Sequence, residues 1–310
     1  MTEKLVSIII PTYNGHEAVP RAVESALNQT YKNTEIIVVD DNGIGSKEQE
    51  LTKNSLGKYI SENRIKYIAH EVNKNGSAAR NTGIRASSGE YIAFLDDDDI
   101  WFEEKLKKQI EVFDRLDRSY GMLFCGGYNI DTKGFGGRKL SKFPKGNILY
   151  DLLIGKVDFN SSMLVIRREV LKDVIEFDES YRRLQDWEFC TRILYKYKGY
   201  GMEEYLVAKI RAERNLTSNP EQLLAIYEHH MSKIKEILHS LGTNREKKVK
   251  ARFYRRIALE YFKTKNIRKG FTYLGKEENT VKGFVLLSKY VLSHGIYRIL
   301  HRKQKIVDIE

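Results

Sequence analysis

Four consecutive carboxylates, Asp96 to Asp99, are the part of this sequence with the clearest capacity for chemistry. They directly follow the apolar run 91–95, which is typical of a short buried strand. Neighbouring carboxylates repel one another, and burial raises their pKa values further unless a positive charge lies nearby. A hard divalent cation, Mn²⁺ or Mg²⁺, suits such a group because it prefers oxygen ligands and also binds substrate phosphates. Capping of a helix that begins near Ile100 accounts for one or two of the aspartates, but not for all four.

Two further polar clusters, residues 11–14 and 40–41, also follow predicted strands. In a parallel sheet all three clusters lie at one edge, where ligands of open α/β sheets bind. The acids at 40–41 can accept hydrogen bonds from a base or a ribose, and Tyr13 can stack on a base. The loop 73–81 adds Arg80 and a helix N-terminus, both suited to a diphosphate. Together these features predict a site for a nucleotide that carries a diphosphate and is bridged to the protein by a metal.

The elements that position these residues alternate between strand and helix. This order predicts a mostly parallel α/β sheet with right-handed crossovers, and the short, continuous apolar runs predict strands covered on both faces. From about 119 to 212 the pattern becomes mixed, and after Pro220 it is almost entirely helical. The helices predicted there are roughly 221–241, 245–263, 266–276 and 280–300. The predicted strands of the first part are 5–10, 35–39, 65–68 and 91–95, and the predicted helices are 18–28, 47–63 and 75–89.

Composition and charge indicate a two-part chain of 310 residues. Residues 221–310 hold 20 Lys and Arg against 9 Asp and Glu, so the net charge of +11 resides there. We therefore expect a catalytic domain over 1–218 and a basic α-helical domain over 219–310. Two cysteines give no disulfide framework, the N-terminus has no secretory signal, and no apolar run approaches the roughly 18 residues that span a bilayer. These features predict a cytoplasmic location.

At these motifs the chain resembles the inverting glycosyltransferases of family 2, which have the GT-A fold. The resemblance covers about residues 5–215 and does not reach the C-terminal helices. It implies a GT-A, Rossmann-like, mostly parallel sheet with flanking helices. The segments that carry it are Val6-Ser7-Ile8-Ile9-Ile10-Pro11-Thr12-Tyr13-Asn14, Ile37-Val38-Val39-Asp40-Asp41, Gly76-Ser77-Ala78-Ala79-Arg80-Asn81-Thr82-Gly83 and Phe94-Leu95-Asp96-Asp97-Asp98-Asp99.

The resemblance also implies roles for individual residues. Asp40 would hold the uracil edge, and Arg80 would lie close to the base and the diphosphate. Asp96 and Asp98 match the D-x-D pattern of the metal site, with Asp98 as the direct ligand and Asp96 nearer the ribose. The implied nucleotide-sugar residues are Pro11, Thr12, Tyr13, Asp40, Arg80, Asp96 and Asp97.

The family's catalytic base lies at a helix start with an E-D-x-E-like sequence, which Asp186 matches here. Gln185 replaces the usual Glu but leaves the base itself intact. The alternative is that Asp186 is simply a carboxylate at a helix N-terminus. Near the domain end, Glu213 replaces a His that is common in the family, and the segment 211–218 either closes over the diphosphate as a lid or is a charged surface loop.

The expected function is metal-dependent, inverting transfer from a UDP-sugar to a hydroxyl of a polysaccharide, glycolipid or glycoprotein glycan. The alternatives are a sugar-nucleotide-binding scaffold without turnover and a nucleotidyltransferase of sugar activation. The basic tail admits peripheral contact with the inner face of the membrane and a lipid-linked acceptor, a homo-oligomer interface, or an acidic partner. Nucleic-acid binding by the tail is a further alternative, but its positive charge is the only support, since no helix-turn-helix or zinc-finger spacing accompanies it.

Overall fold

The structure, a computed structural model, describes residues 3–131, 138–139, 143–157, 159–211 and 219–276. The chain divides into two compact units, Met1–Asn215 and Leu216–Glu310. The functional assignment of domains 1–218 and 219–310 stays a prediction. Within the described part of the chain, no helix is long and apolar enough to cross a membrane.

Alternating strands and helices build the first part of the N-terminal unit, as the sequence pattern predicts. The helix predicted over 47–63 is interrupted at the buried residue Leu56 and forms two pieces. The first four strands pair in parallel, so their carboxyl ends meet at one edge. In chain order the elements are β1 Val6–Thr12, α1 Val19–Leu27, β2 Thr34–Asp40, α2 Lys47–Ser55, α3 Gly57–Ser61, β3 Lys66–Ala69, α4 Gly76–Arg85 and β4 Tyr91–Phe94.

The remainder of this unit extends the sheet with strands of mixed direction. Two 3₁₀ helices, Ser161–Met163 and Arg168–Lys172, flank the strand Leu164–Arg167. The predicted helix near Ile100 is wrong, because Asp99–Trp101 pairs with a distant strand and the next helix begins only at Lys105. The elements are β5 Asp99–Trp101, α5 Lys105–Arg115, β6 Tyr120–Asp131, β7 Arg138–Lys139, β8 Lys145–Gly146, α6 Leu149–Leu153, β9 Leu164–Arg167, α7 Gln185–Lys196 and β10 Lys198–Arg211.

The strand order of the sheet is β3-β2-β1-β4-β9-β6-β10-β5, with β7 beside β6 and β8 beside β10. Strand β9 runs antiparallel between β4 and β6, and β10 runs parallel to β6 and antiparallel to β5. This register places Thr12 opposite Asp40 and Lys209 opposite Asp99. The central strands are buried, as their continuous apolar sequences predict. The fold therefore brings polar strand ends together above an apolar core.

The described residues of the C-terminal unit form helices that pack around the long helix α10, Thr243–Lys263. A stripe of buried residues on α10, Val249, Phe253 and Ile257, recurs every four positions, as expected for one helix face. The rings of Tyr227 and Phe253 pack at a tilt of 37°, with their centroids 4.9 Å apart. The helix predicted over 221–241 is broken at Ile234, and the one predicted over 280–300 lies outside the described residues. The elements are α8 Pro220–Lys233, α9 Lys235–Ser240, α10 Thr243–Lys263 and α11 Ile267–Leu274.

Candidate active site

The end of β1 contacts the aspartate run directly. The buried Thr12 hydroxyl donates to Asp97 Oδ2 at 2.7 Å. A Cβ atom at Gly15 would lie 2.0 Å from Asp97 Oδ2, so a larger residue there would displace the Asp97 side chain from this contact. Pro11 is half-buried, whereas the side chain of Tyr13 is 50% exposed and therefore available for stacking. The end of β1 thus combines the hydrogen-bonded Thr12–Asp97 pair with the accessible aromatic ring of Tyr13.

Asp40, the predicted uracil contact, is fully buried at the end of β2. Its Oδ1 accepts hydrogen bonds from the backbone and side-chain amides of Asn42, and its Oδ2 accepts one from the Tyr67 hydroxyl at 2.6 Å. These contacts hold the loop after β2 against β3. A direct contact between Asp40 and a base stays a prediction, since in this structure its carboxylate faces protein donors.

Asp41, which the sequence singled out with Asp40, anchors the loop before α4. Its carboxylate accepts hydrogen bonds from the backbone amides of Lys74 and Asn75, each at 2.8 Å, and from the side chain of Asn73. The Nδ1 atom of the buried His70 lies 2.7 Å from Asp41 Oδ1. Asp41 therefore fixes the start of the helix that carries Arg80.

Substitution of Asp41 by asparagine is expected to lower the free energy of unfolding by about 1–3 kcal/mol. The new amide group would place a donor against backbone N–H groups and leave them unsatisfied in a buried site. Thermal and urea unfolding of the full chain measure this loss. Asp117→Asn, a change at an exposed acid, serves as the matched control, and equal stability of the two variants would contradict the anchoring role.

Arg80 and Asp96 form an ion pair that joins α4 to the segment after β4. Arg80 Nη2 lies 2.7 Å from Asp96 Oδ1, and Arg80 Nη1 donates to Gln185 Oε1 at 2.9 Å. Burial opposes the ionisation of Asp96, but the positive charges of Arg80 and Lys209 outweigh it and lower the pKa of Asp96. Asp96 is therefore held as a carboxylate, and Arg80 connects it to the helix that carries Asp186.

A serine pair in the 3₁₀ helix Ser161–Met163 holds the aspartate run in place. Ser161 Oγ donates to Asp96 Oδ1 at 2.7 Å, and Ser162 Oγ donates to Asp99 Oδ2 at 2.6 Å. Asn160 Nδ2 also donates to Asp99 Oδ2. Burial and the nearby charge of Asp96 raise the pKa of Asp99 to about 7. The pKa values of Asp96 and Asp99 therefore shift in opposite directions, although the two residues belong to the same run.

Asp186 lies in the first turn of α7, and this helix begins directly after Leu184. The φ of 61° at Leu184 turns the chain into the helix. The backbone N–H of Trp187 donates to Asp186 Oδ1 at 2.8 Å. Burial, followed by the charge of Asp96, raises the pKa of Asp186 against the opposing charge of Arg80. A carboxylate with a raised pKa is a stronger base once ionised. This environment is compatible with proton abstraction, although the role of Asp186 stays a prediction.

The oxygen donors of the aspartate run fit a divalent cation that is shared with a substrate. Asp98 is half-buried, as is Asp96. Among the described residues, no group of three His, Cys, Asp or Glu side chains is placed to hold a metal by itself. Mg²⁺ commonly binds through one or two carboxylates and substrate phosphates, so an incomplete protein donor set suits it. Asp96 and Asp98 would supply the protein ligands.

The structure adds residues to the site that sequence patterns do not reveal. These are Ser161 and Ser162, which contact the aspartates, and Lys209, whose charge acts on several of them. The polar triplet 160–162, directly before the apolar run 163–166, was the available sequence signal for the serines. The predicted lid, with Glu213, lies outside the described residues except for Arg211, at the end of β10.

The sequence profile described as Glycosyl transferase family 2 matches residues 7–175, more than half of the chain. The amylovoran biosynthesis glycosyltransferase AmsB of Erwinia amylovora is 32% identical over 191 residues, which cover 60% of this chain and 62% of AmsB. The chain spans less than two thirds of that relative, and only 31% of another curated relative.

Two solved structures share the fold at low sequence identity. Staphylococcus aureus TarS 1–349 in complex with UDP-GlcNAc has a TM-score of 0.58 and 19% identity, and the match covers 91% of this chain and 92% of TarS 1–349. The mannosyltransferase PcManGT from Pyrobaculum calidifontis, in complex with GDP-Man and Mn²⁺, has a TM-score of 0.59 and 14% identity, with 93% and 79% covered. These similarities confirm the predicted GT-A fold.

Proposed function

We propose, because this chain belongs to glycosyl transferase family 2, that it transfers a sugar from a UDP-sugar to an acceptor hydroxyl with inversion. The observation that carries the proposal is the link from Asp96 through Arg80 to Gln185, the residue before Asp186. This link connects the predicted donor site to the predicted base. A donor and an acceptor bound at this edge of the sheet would meet between the predicted donor site and Asp186.

Inversion requires one in-line displacement at the anomeric carbon. Asp186 would accept the proton of the acceptor hydroxyl as that oxygen attacks the face opposite the leaving diphosphate. Such general-base catalysis contributes about 10²–10⁴-fold to the rate. Asp96 and Gln185 contact the two sides of the Arg80 guanidinium. These contacts fix α7, which carries Asp186, relative to the predicted donor site.

The leaving group needs positive charge, because the diphosphate gains negative charge as the glycosidic bond breaks. A bound Mn²⁺ or Mg²⁺ would supply a Lewis acid for this charge, held by Asp98 and Asp96. The chain's own contribution is the positive charge of Arg80, which would act on the diphosphate without a direct contact because its donors are engaged by protein groups. The backbone N–H groups of Ser77 and Ala78 already donate to Asn75 Oδ1, so the start of α4 would contribute through its helix dipole. Tyr13, Pro11 and Thr12 would form the uridine side of the pocket.

A UDP donor is supported by TarS, which shares the fold and binds UDP-GlcNAc, whereas PcManGT binds GDP-Man. The deciding experiment is a donor screen that measures nucleotide release from UDP-, GDP- and dTDP-sugars with Mn²⁺ present and absent. Release of UDP in the presence of an acceptor glycan supports the proposal. Pyrophosphate formation from a nucleoside triphosphate would instead favour a nucleotidyltransferase, and binding without turnover of any donor would favour a scaffold.

The acceptor is proposed to be a polysaccharide, glycolipid or glycoprotein glycan. The basic charge of the tail supports peripheral contact with an anionic membrane surface and a lipid-linked acceptor, while self-association of its helices is the competing proposal. Both proposals separate the donor site from the part of the chain that holds acceptor or partner.

Truncation after Pro220 is expected to preserve UDP binding in the presence of Mn²⁺, because the donor motifs all precede that residue. The truncated chain should lose either oligomeric mass or transfer to the acceptor. Light scattering and a transfer assay distinguish these results, with the full chain as control. Loss of UDP binding by a truncated chain that still folds would show that the tail completes the donor site, contrary to this proposal.

A further inference from the structure

Lys209, near the end of β10, is the feature that the proposed mechanism leaves unused. It lies opposite Asp99 in the antiparallel pairing of β10 with β5. Residues directly opposite one another in such a pair project from the same face of the sheet. The side chain of Lys209 therefore lies on the side of the sheet where Asp99 meets Asn160 and Ser162.

The surroundings of Lys209 are strongly negative. Burial opposes its charge, but the carboxylates of Asp99, Asp96, Asp98 and Asp186 together raise the pKa of Lys209, so it stays protonated. Despite these neighbours, no hydrogen bond or ion pair to another described residue engages its ammonium group. Lys209 thus holds a positive charge at the site without a fixed protein partner in the described chain.

Arg80 is in the opposite situation. Its Nη1 donates to Gln185 and Gly76, and its Nη2 donates to Asp96 and Ser161. Any move toward a ligand would break these contacts. Of the two cations whose charges act on Asp96, Lys209 is therefore the one whose donors are not engaged by any described residue.

A diphosphate approaching this edge would be repelled by the carboxylates that lie there. A metal on Asp98 offsets part of that repulsion, but the anion still gains from a second cation that can move toward it. A lysine ammonium has three rotatable donors on a flexible stem, which suits a phosphate whose position changes as the leaving group departs.

We propose that Lys209 is a donor-binding residue whose ammonium contacts the diphosphate of the nucleotide-sugar, an inference that rests on the proposed function. The competing explanation is structural: Lys209 only balances the charge of the aspartates. The two explanations differ in whether its removal affects a phosphate-bearing ligand more than the nucleoside alone.

The test compares Lys209→Met with Lys209→Arg in the full chain by calorimetric titration of UDP and of uridine at saturating Mn²⁺. Lys209→Met should weaken UDP binding about tenfold or more, as expected for loss of a charge-assisted hydrogen bond, and should leave uridine binding unchanged. Lys209→Arg should recover most of the UDP affinity. The matched control is Lys198→Met, at the far end of the same strand, which should bind UDP like the wild type.

Unchanged UDP affinity in a folded Lys209→Met variant would overturn the inference, and so would an equal loss of UDP and uridine affinity, since that indicates general damage to the site. Thermal unfolding of each variant establishes that it is folded. Failure of the proposed function has a different signature, because the wild-type chain itself would then neither bind UDP nor transfer sugar.

Discussion

Replacement of Asp186 by asparagine is expected to lower sugar transfer by about two orders of magnitude or more, while UDP binding with Mn²⁺ is preserved. Asparagine has nearly the same shape but cannot accept the acceptor's proton. Its side-chain oxygen can still accept the hydrogen bond from the Trp187 backbone N–H, so the helix start should persist. Steady-state transfer rates and calorimetric UDP binding measure the two quantities separately.

The pH dependence provides a second test of Asp186. A general base acts when ionised, so kcat/KM should rise as pH rises through its pKa. Because burial and the charge of Asp96 raise the pKa of Asp186, the acidic limb should lie above the ordinary aspartate value of about 3.9. Asp117→Asn, at an exposed position, should retain the wild-type profile. A collapse of UDP affinity in Asp186→Asn, with residual turnover unaffected, would instead identify Asp186 as a binding residue.

Replacement of Asp98 by asparagine is expected to lower metal-dependent UDP affinity and sugar transfer by about 100-fold or more. An amide oxygen is a neutral and weaker ligand for Mn²⁺ or Mg²⁺ than a carboxylate, so the cation would no longer bridge the protein and the diphosphate. Titration of UDP at increasing Mn²⁺ concentration measures the loss, because the variant should need far more metal to reach half-saturation.

Chelation provides the matching experiment on the unaltered chain. Excess EDTA should abolish transfer, and added Mn²⁺ or Mg²⁺ should restore it. Asp114→Asn removes a carboxylate that pairs with Lys4 and should leave the metal requirement unchanged. Full activity of the wild type in excess chelator would refute the metal site, whatever the behaviour of the Asp98 variant.

The first four strands could be predicted from the sequence because their signal is local. Short apolar runs that end in polar clusters identify strands, and the helices between them require parallel pairing, which the structure confirms. The helix predicted near Ile100 failed for the opposite reason. Residues 99–101 form a strand only because β10, which begins at Lys198, pairs with them. No local pattern contains that information.

The candidate site likewise combines residues that local sequence indicates with properties that depend on tertiary contacts. Residue type and position within a motif were sufficient to single out Asp96, Asp98 and Asp186, and their grouping at one edge follows from the parallel strands and the family resemblance. The unequal electrostatics of the aspartates were not predictable, because a pKa depends on burial and on charges that are distant in sequence. Burial and the charge of Asp96 raise the pKa of Asp99 to about 7. The charges of Arg80 and Lys209 lower the pKa of Asp96 against the effect of burial.

By itself the sequence determined the α/β class, the strand ends that carry polar residues, and the family to which the motifs belong. Only the tertiary structure decided that Ser161 and Ser162 hold the aspartates, that Arg80 is tied to Gln185, and that Lys209 faces the same cluster. The physical reason is that hydrophobic periodicity acts over a few residues, whereas hydrogen bonds and charges act between residues that the folded sheet brings together from up to 161 positions apart.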